Sequence, residues 1–513
     1  MPASINPIIP GFAPDPSIVK VDDWFFLVNS SFHLFPGLPI FASQDLLSWK
    51  QIGNAINRPT QLSLKVSDTQ LHPQKDTGDV LVATGGLYAP TIRHHNGTFY
   101  IVCTNVIRTP QGDNGVNFII STRDIWSDEW SDPVYFEFKG IDPSILFDDD
   151  GRTYIHGSAA PGPYTTINLF EVDLQTGAKL SDERTIWRGT GGIYPEGPHL
   201  YKRNGWYYVL IAEGGTHGGH IVTMARSRDI WGPYEECPQN PILTARDTDE
   251  YIQYTGHADL FRDGEGQWWC VCLGVRRDQR GRFIMGRETF LTRGNWDGDW
   301  PVLDQVKSTP NGMSDAESSK LAVMPGLDYV RIRDVVQENY HIDDAAGSIT
   351  MKASPVDLSD PQLSPSFVGK RQRLLDGSSS VTVQGIDTKW TPARAQAGLV
   401  CYKDEHRYLR IFFDADTLAI VVELVNKAKE VVQREQHELG SLPERVSFRM
   451  EYTEQEYRLL YSLEKGNMAI WKCVSVVDTL ELTGPDFTGP VIGVYAVAQT
   501  DDMPAEFRDL NIE

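Results

Sequence analysis

The chain reads as an all-β protein, a five-bladed β-propeller followed by a β-sandwich, and three features point there. A short phrase recurs five times between Pro16 and Gly274. Each copy is followed by a second strand pair carrying its own marker, in most copies a Ser or Arg, an acidic residue, a hydrophobe and then tryptophan. Beyond Phe367 the text changes to period-two alternation over many short segments with polar turns, the mark of a sandwich. A chain of 513 residues also exceeds one ordinary core.

The copies are PSIVKVDDWFFLVNSS from Pro16, PTIRHHNGTFYIVCTN from Pro90, PSILFDDDGRTYIHGS from Pro143, PHLYKRNGWYYVLIAE from Pro198 and ADLFRDGEGQWWCVCLG from Ala258. Each has a small-residue start, a few apolar positions, a turn rich in Asp, Asn and Gly, and an aromatic-rich strand. That is a β-hairpin. The copies begin at intervals of roughly 50 to 75 residues, which suits one multi-stranded blade each. Just ahead of them stand Asp15, Ala89, Asp142, Glu196 (one residue earlier, before Gly197) and His257. Five equivalent blades around one axis would turn these positions into a ring, bringing three distant carboxylates into one mouth.

The markers that follow are SQDLLSWKQIG at 43–53, STRDIWSDEWSDP at 121–133, SRDIWGPYEE at 227–236 and RETFLTRGNWDGDWP at 287–301, with EVDLQTGAKLSDERTIW at 171–187 filling the slot in the third blade. Their tryptophans read as packing between blades. Residues 54–88 carry a polar insertion expected beside the mouth as a pocket wall. The repeat stops after Pro301, and the expected division is 1–320 for the propeller and 321–513 for the sandwich. Strands are expected at SVTVQG, GLVCY, YLRIFFD, LAIVVELV, VSFRMEY, YRLLYSLE, MAIWKCVSVV and VIGVYAV. No recurring acidic position accompanies them, so the second domain reads as an accessory or packing module.

A formal charge of −22 argues against nucleic acid or an anionic membrane as partner and suits a neutral ligand. No stretch approaches the ~20 apolar residues of a membrane span. The opening MPASINPIIPGF lacks a basic n-region and an apolar h-region, so the expectation is either a cytoplasmic protein or a secreted one that has lost its presequence. The six cysteines are sparse, four of them within apolar strand text, and are expected as free thiols. Oligomeric state is not legible.

Two carboxyl groups across a neutral polar ligand are the minimal apparatus for cleaving a glycosidic bond. One is protonated to assist the leaving oxygen; the other is ionised to activate water or attack carbon. A third nearby carboxylate helps to separate the two states, because like charges in one pocket raise at least one pKa.

The phrases PGFAPDPSI, FPGLPIFASQDLLSW, YAPTIRHHNGTFYIV, GIDPSILFDDDGRTYI, EGPHLYKRNGWYYVLIAEGGT, TGHADLF and GRETFL closely resemble glycoside hydrolase family 43, most strongly its β-xylosidase and α-L-arabinofuranosidase branch. The likeness covers residues 1 to about 305; FVGKRQ and AGLVCYKDEHRY resemble the concanavalin-like, jelly-roll sandwich that follows the propeller in that branch. The resemblance implies an inverting, exo-acting enzyme that removes terminal arabinofuranose or xylose from arabinoxylan- or xylan-derived chains, with no cofactor needed for the chemistry. It makes Asp15 the general base, Glu196 the general acid and Asp142 the carboxylate that orients the acid and holds its pKa up. It makes His257 the axial histidine that touches a calcium ion or a water cluster, and Arg287 a sugar contact. It places Phe32, Phe35, Tyr88 and Thr216 along the sugar pocket. The family's usual tryptophan before Ala-Pro is Tyr88 here, which leaves the choice of pentose open. An endo-arabinanase and a non-enzymatic carbohydrate-binding propeller are the alternatives. A fructan hydrolase is disfavoured because the phrases are APDPS, GIDPS and PEGP.

Overall fold

Residues 4–512 are described by a computed structural model, apart from 75–77, 110–111, 161, 464–469 and 501–502. No α-helix occurs among the described residues, and no helix is long and apolar enough to cross a membrane. The five expected hairpins are the two innermost strands of five separate antiparallel sheets. Blade one runs Ser17–Val21, Trp24–Val28, Gly37–Ser43 and Ser48–Ile56; blade two runs Gly86–His95, Thr98–Thr109, Gly112–Thr122 and Val134–Phe136. Blade three begins at Gly140–Phe147, blade four at Glu196–Arg203 and blade five at Ile252–Arg262.

The innermost strands touch their neighbours all the way round, blade five closing on blade one. Closure is reinforced by the N-terminal segment. Ile9 bridges to Thr289 in blade five, and the Asn6 amide donates to the Leu291 carbonyl at 2.7 Å while its oxygen accepts from the Leu291 N–H at 2.8 Å. The marker residues Trp49, Trp130, Trp187 and Trp296 are buried among blade hydrophobes, which is the packing role expected of them.

Beyond the propeller, a seven-stranded and a six-stranded antiparallel sheet form the sandwich. Their inward residues, among them Val381, Leu399, Ile411, Phe448 and Val494, make one apolar core. All eight expected strands are present; the segment MAIWKCVSVV forms the strand Lys472–Asp478, and its first two residues lie outside the described ones. The alternation is what sorts these side chains, since period two puts every second residue on the core face. Between the two units, Lys320–Val323 adds a parallel fifth strand to blade one, and Arg331–Ile332 pairs with Leu34–Phe35. All six cysteines are free thiols, five buried and Cys473 exposed.

The insertion after blade one forms a hairpin, Thr69–Pro73 with Val80–Thr84, and it is docked on the sandwich. The Val82 N–H donates to the Pro485 carbonyl at 2.9 Å, and the Thr69 N–H donates to Glu405 Oε1 at 2.5 Å.

Candidate active site

The same irregularity opens four of the five innermost strands. Pairing skips residues between Tyr88 and Thr91, Ile141 and Ser144, Glu196 and His199, and Gly256 and Asp259. At each bulge, and just before blade one, one residue has a left-handed backbone: Asp15 (φ 52), Ala89 (φ 38), Asp142 (φ 55), Gly197 (φ 57) and His257 (φ 47). Such positive φ costs roughly 1–2 kcal/mol in an L-residue, so its recurrence at Asp15, Ala89, Asp142 and His257, with glycine in the fifth place, marks a position held by its surroundings. A bulge re-aims side chains; bulges turn Asp142 and His257, and the left-handed residue before blade one turns Asp15, into one pocket. The exact equivalent in blade four is Gly197, not Glu196. A Cβ on Gly197 would stand 2.8 Å from His257 Nδ1, so glycine leaves space for the imidazole and the carboxylate comes from the preceding residue.

Two residues further along the strands lie Ser17, Thr91, Ser144, His199 and Asp259, and four of these five meet around Arg93. Its guanidinium binds Asp259 at 2.8 Å and 3.1 Å, Ser17 Oγ at 3.1 Å and the His199 ring at 3.1 Å, while Ser144 and His199 share a bond of 3.0 Å. Arg93 thus fills the ring below the carboxylates with a fixed positive charge.

Asp15 is almost wholly buried and fully engaged. Ser30 Oγ donates to Oδ2 at 2.6 Å, Arg287 Nη1 donates to Oδ1 at 3.0 Å, and His257 Nδ1 lies 3.9 Å from Oδ1. Burial alone would raise its pKa, but Arg287, His257 and the Ser30 hydroxyl outweigh it and hold the carboxyl below the ordinary value. Asp142 Oδ2 accepts the Gly197 N–H at 3.0 Å, pinning the chain beside Glu196. Burial pushes Asp142 up to about 6, with His257 opposing and Asp15 adding to the rise. Glu196 is partly open to the pocket, yet enclosure by protein together with Asp142 and Asp15 pushes it well above the usual carboxylate value. Ser158 Oγ and Thr165 Oγ1 donate to the Pro195 carbonyl at 2.7 Å and 2.9 Å and fix the residue before it. One carboxyl is therefore held below its ordinary pKa and another pushed well above it, in one cavity of about 1870 Å³. That pairing is the requirement for acid- and base-assisted displacement.

Phe32, Tyr88, Thr216 and Arg287 line this cavity. Phe32 and Tyr88 meet edge to face at 4.9 Å between centroids; Tyr88 Oη donates to the Thr84 carbonyl at 2.6 Å, and burial pushes its phenol up to about 12. Thr216 Oγ1 accepts from Arg287 Nη1 at 2.9 Å. Phe35 is a correction. A tight turn, with the Leu34 N–H on the Ser31 carbonyl, separates the two phenylalanines, and Phe35 packs in the blade-one core with Phe26, Leu38 and Ile40 instead of the pocket.

The sandwich takes part in the pocket as well as packing on the propeller. Its residues Thr483 to Pro485 and Phe487 form part of the pocket wall, facing the hairpin residues Val80 to Ala83. The Phe487 ring lies 5.8 Å from both Phe32 and Tyr88, and its carbonyl accepts from Arg287 Nη2 at 3.0 Å. Sequence reading named neither Phe487 nor Ser30 as a site residue, although Ser30 lies in the first copy of the repeated phrase.

Among the described residues, no three His, Cys, Asp or Glu side chains gather in a way that could hold a metal ion. His257 would be a single imidazole ligand, sharing Asp15 Oδ1 with the Arg287 charge, whereas calcium takes about six to eight oxygens. These residues do not fit a protein-built calcium site.

A group of carboxylates at the mouth of five blades, one with its pKa lowered and one with its pKa raised, describes a glycoside hydrolase. The chain belongs to glycosyl hydrolases family 43, matched over residues 4–301, and residues 324–513 match the beta-xylosidase C-terminal concanavalin A-like domain. It is 34% identical to a non-reducing end alpha-L-arabinofuranosidase of Bacteroides ovatus, over 98% of this chain and 93% of that one. It is 32% identical to a xylosidase/arabinosidase of Butyrivibrio fibrisolvens, over 99% of each. Among solved structures, the GH43B protein of a Bacteroides ovatus xyloglucan locus superposes with a TM-score of 0.84 at 31% identity, covering 99% of this chain and 100% of the other. A xylan beta-1,4-xylosidase of Bacillus halodurans gives 0.85 at 25% identity, covering 98% and 99%. Enzymes of this family need no cofactor for catalysis.

Proposed function

We propose that the enzyme removes single terminal pentoses, α-L-arabinofuranose or β-D-xylose, from the non-reducing ends of xylan- or arabinoxylan-derived chains, with inversion. The observation that carries this reading is the split between Asp15, held low by Arg287, His257 and Ser30, and Glu196, pushed high by burial and two carboxylates. Asp15 takes a proton from water as the water oxygen bonds to the anomeric carbon. Glu196 gives its proton to the glycosidic oxygen as that bond breaks, and the two carboxyls end with exchanged protonation. Asp142 is a positioning residue, fixing the Gly197 amide and raising Glu196. Phe32, Tyr88 and Phe487 form an aromatic wall for one sugar ring, and Arg287 ties that wall to Asp15.

The exo mode is supported by enclosure. The hairpin from the blade-one insertion and the sandwich strip around Phe487 stand on the cavity as walls, where an endo-acting enzyme needs an open groove. Calcium enters this reading only as an ion with one imidazole ligand and water for the rest, and no step depends on it. The deciding experiment is a panel of aryl β-D-xyloside, aryl α-L-arabinofuranoside and arabinoxylan oligosaccharides with the anomeric product followed by NMR. Release of a pentose with inverted configuration is expected; internal cleavage or retention would overturn the proposal.

A further inference from the structure

The outer half of the cavity has a charge pattern at odds with the rest of the chain. Acidic residues outnumber basic ones 69 to 47 overall, yet four of the exposed residues lining the mouth are the cations Lys139, Arg277, Arg280 and Lys429. The exposed carboxylates there are Asp79, on the hairpin wall, and Asp113, whose charge is taken up by Arg108.

The loop after blade five's second strand shows how this arises. That strand, Trp268–Arg276, ends on one arginine and the loop adds three more, Arg277, Arg280 and Arg282. Arg276 pairs with Glu288 at 2.8 Å, and Arg282 is buried between Asp278 at 3.1 Å and Asp478 at 2.7 Å. Those two consume the local carboxylates. Among the described residues, no carboxylate lies within ion-pair distance of Arg277, Arg280 or Lys139. The loop is also pinned: Asp278 Oδ1 accepts the N–H groups of Arg280 and Arg282 at 2.9 Å and 2.8 Å. Lys429 reaches the same stretch of sandwich, donating to the Leu480 carbonyl at 2.5 Å, two residues beyond the Asp478 that holds Arg282. Two guanidiniums on a fixed loop, neither with a carboxylate at ion-pair distance among the described residues and Arg280 feeling Asp478 only at longer range, are suited together with Lys429 to an anion of the carboxylate type.

Resting on the exo-pentosidase reading, we propose that this mouth binds a carboxylate carried by the leaving-group half of the glycan, so that the preferred substrates are uronic-acid-substituted oligosaccharides. The cavity exceeds what one pentose fills, so the sugars behind the scissile bond have room beside these cations.

The test uses the full-length Glu196→Gln protein and two probes, a xylo-oligosaccharide and the same oligosaccharide bearing one glucuronic acid near its non-reducing end. Titration calorimetry at low salt is expected to show the acidic probe binding about three- to tenfold tighter, an advantage that shrinks as salt rises. In Arg277→Gln/Arg280→Gln the ratio of the two affinities is expected to fall to about one. Equal affinities, a ratio untouched by salt or by the double substitution, or no binding of either probe would overturn the proposal. Lys429→Gln provides a second, independent loss of the same ratio. Wild-type hydrolysis of aryl pentosides is measured alongside: its failure would sink the exo-pentosidase reading, while the affinity ratio alone judges this one.

Discussion

Arg287 is clamped between two domains: its Nη1 binds Asp15 Oδ1 at 3.0 Å, and its Nη2 binds the backbone carbonyl of Phe487 at 3.0 Å. The pocket is thus incomplete without the sandwich. Phe487 sits next to Asp486, which is buried against Lys403 and Arg407 at 2.5 Å each, so a dense ion cluster fixes the strip that reaches into the propeller mouth.

From this clamp, Phe487→Ala is expected to keep the carbonyl contact but lose the ring that faces Phe32 and Tyr88. We expect kcat/KM to fall about tenfold or more, mainly through KM, since ring burial of this kind is worth over 1 kcal/mol. Asp486→Asn leaves Lys403 without its carboxylate and Arg407 with one fewer, and breaking such a buried pair costs about 3–5 kcal/mol. Thermal denaturation should separate the two variants: a large fall in Tm for Asp486→Asn, little for Phe487→Ala.

The pH profile follows from the same contacts. Activity requires Asp15 ionised and Glu196 protonated, so Asp15 governs the acidic limb and Glu196 the alkaline limb. Arg287 lowers both groups. Arg287→Met should therefore move both limbs to higher pH, along with a loss of rate. Asp142 raises Glu196 but is no named contributor at Asp15. Asp142→Asn should therefore move the alkaline limb to lower pH and leave the acidic limb in place. Measuring kcat/KM against pH for both variants tests the signs; an upward alkaline shift in Asp142→Asn would refute the coupling.

How much of this was legible depended on repetition. Asp15, Asp142 and His257 could be found because each stands at the head of a repeated hairpin phrase, at positions that share a left-handed backbone. Glu196 was found one residue out of register, and the reason lies in three dimensions: Gly197 must be bare where His257 passes. Phe35 shared a loop with Phe32, but a single turn sent it to the core. Ser30 lies in the first copy of the repeated phrase and Phe487 outside any repeat, but the roles of both come from tertiary contacts that the sequence does not show. The sandwich strands were read from alternation, whereas the docking of residues 483–487 on the blade-one hairpin depends on backbone pairing that no pattern announces.

The axial histidine yields a prediction about metal. With Arg93 filling the ring below and no three-ligand cluster among the described residues, chelator treatment is expected to leave Tm unchanged. Elemental analysis of the purified protein should find no stoichiometric calcium. A drop in Tm on chelation, restored by added calcium, would show that water and His257 suffice to hold an ion there.

The sharpest test concerns the acid. Glu196→Gln keeps the side chain's size and removes the proton that the leaving oxygen needs. For natural glycosides and aliphatic leaving groups the loss in kcat should reach about 10²–10⁴-fold, the usual contribution of general acid catalysis. For dinitrophenyl leaving groups, which depart as stable anions, the loss should be far smaller, because no proton is required. Asp15→Asn removes water activation and should depress every substrate alike, since the attacking water is common to them all. Plotting log kcat against leaving-group pKa should give a steep slope for Glu196→Gln and, for Asp15→Asn, a line parallel to wild type. If Glu196→Gln loses the same fraction across the series, another group protonates the leaving oxygen and Glu196 is not the acid.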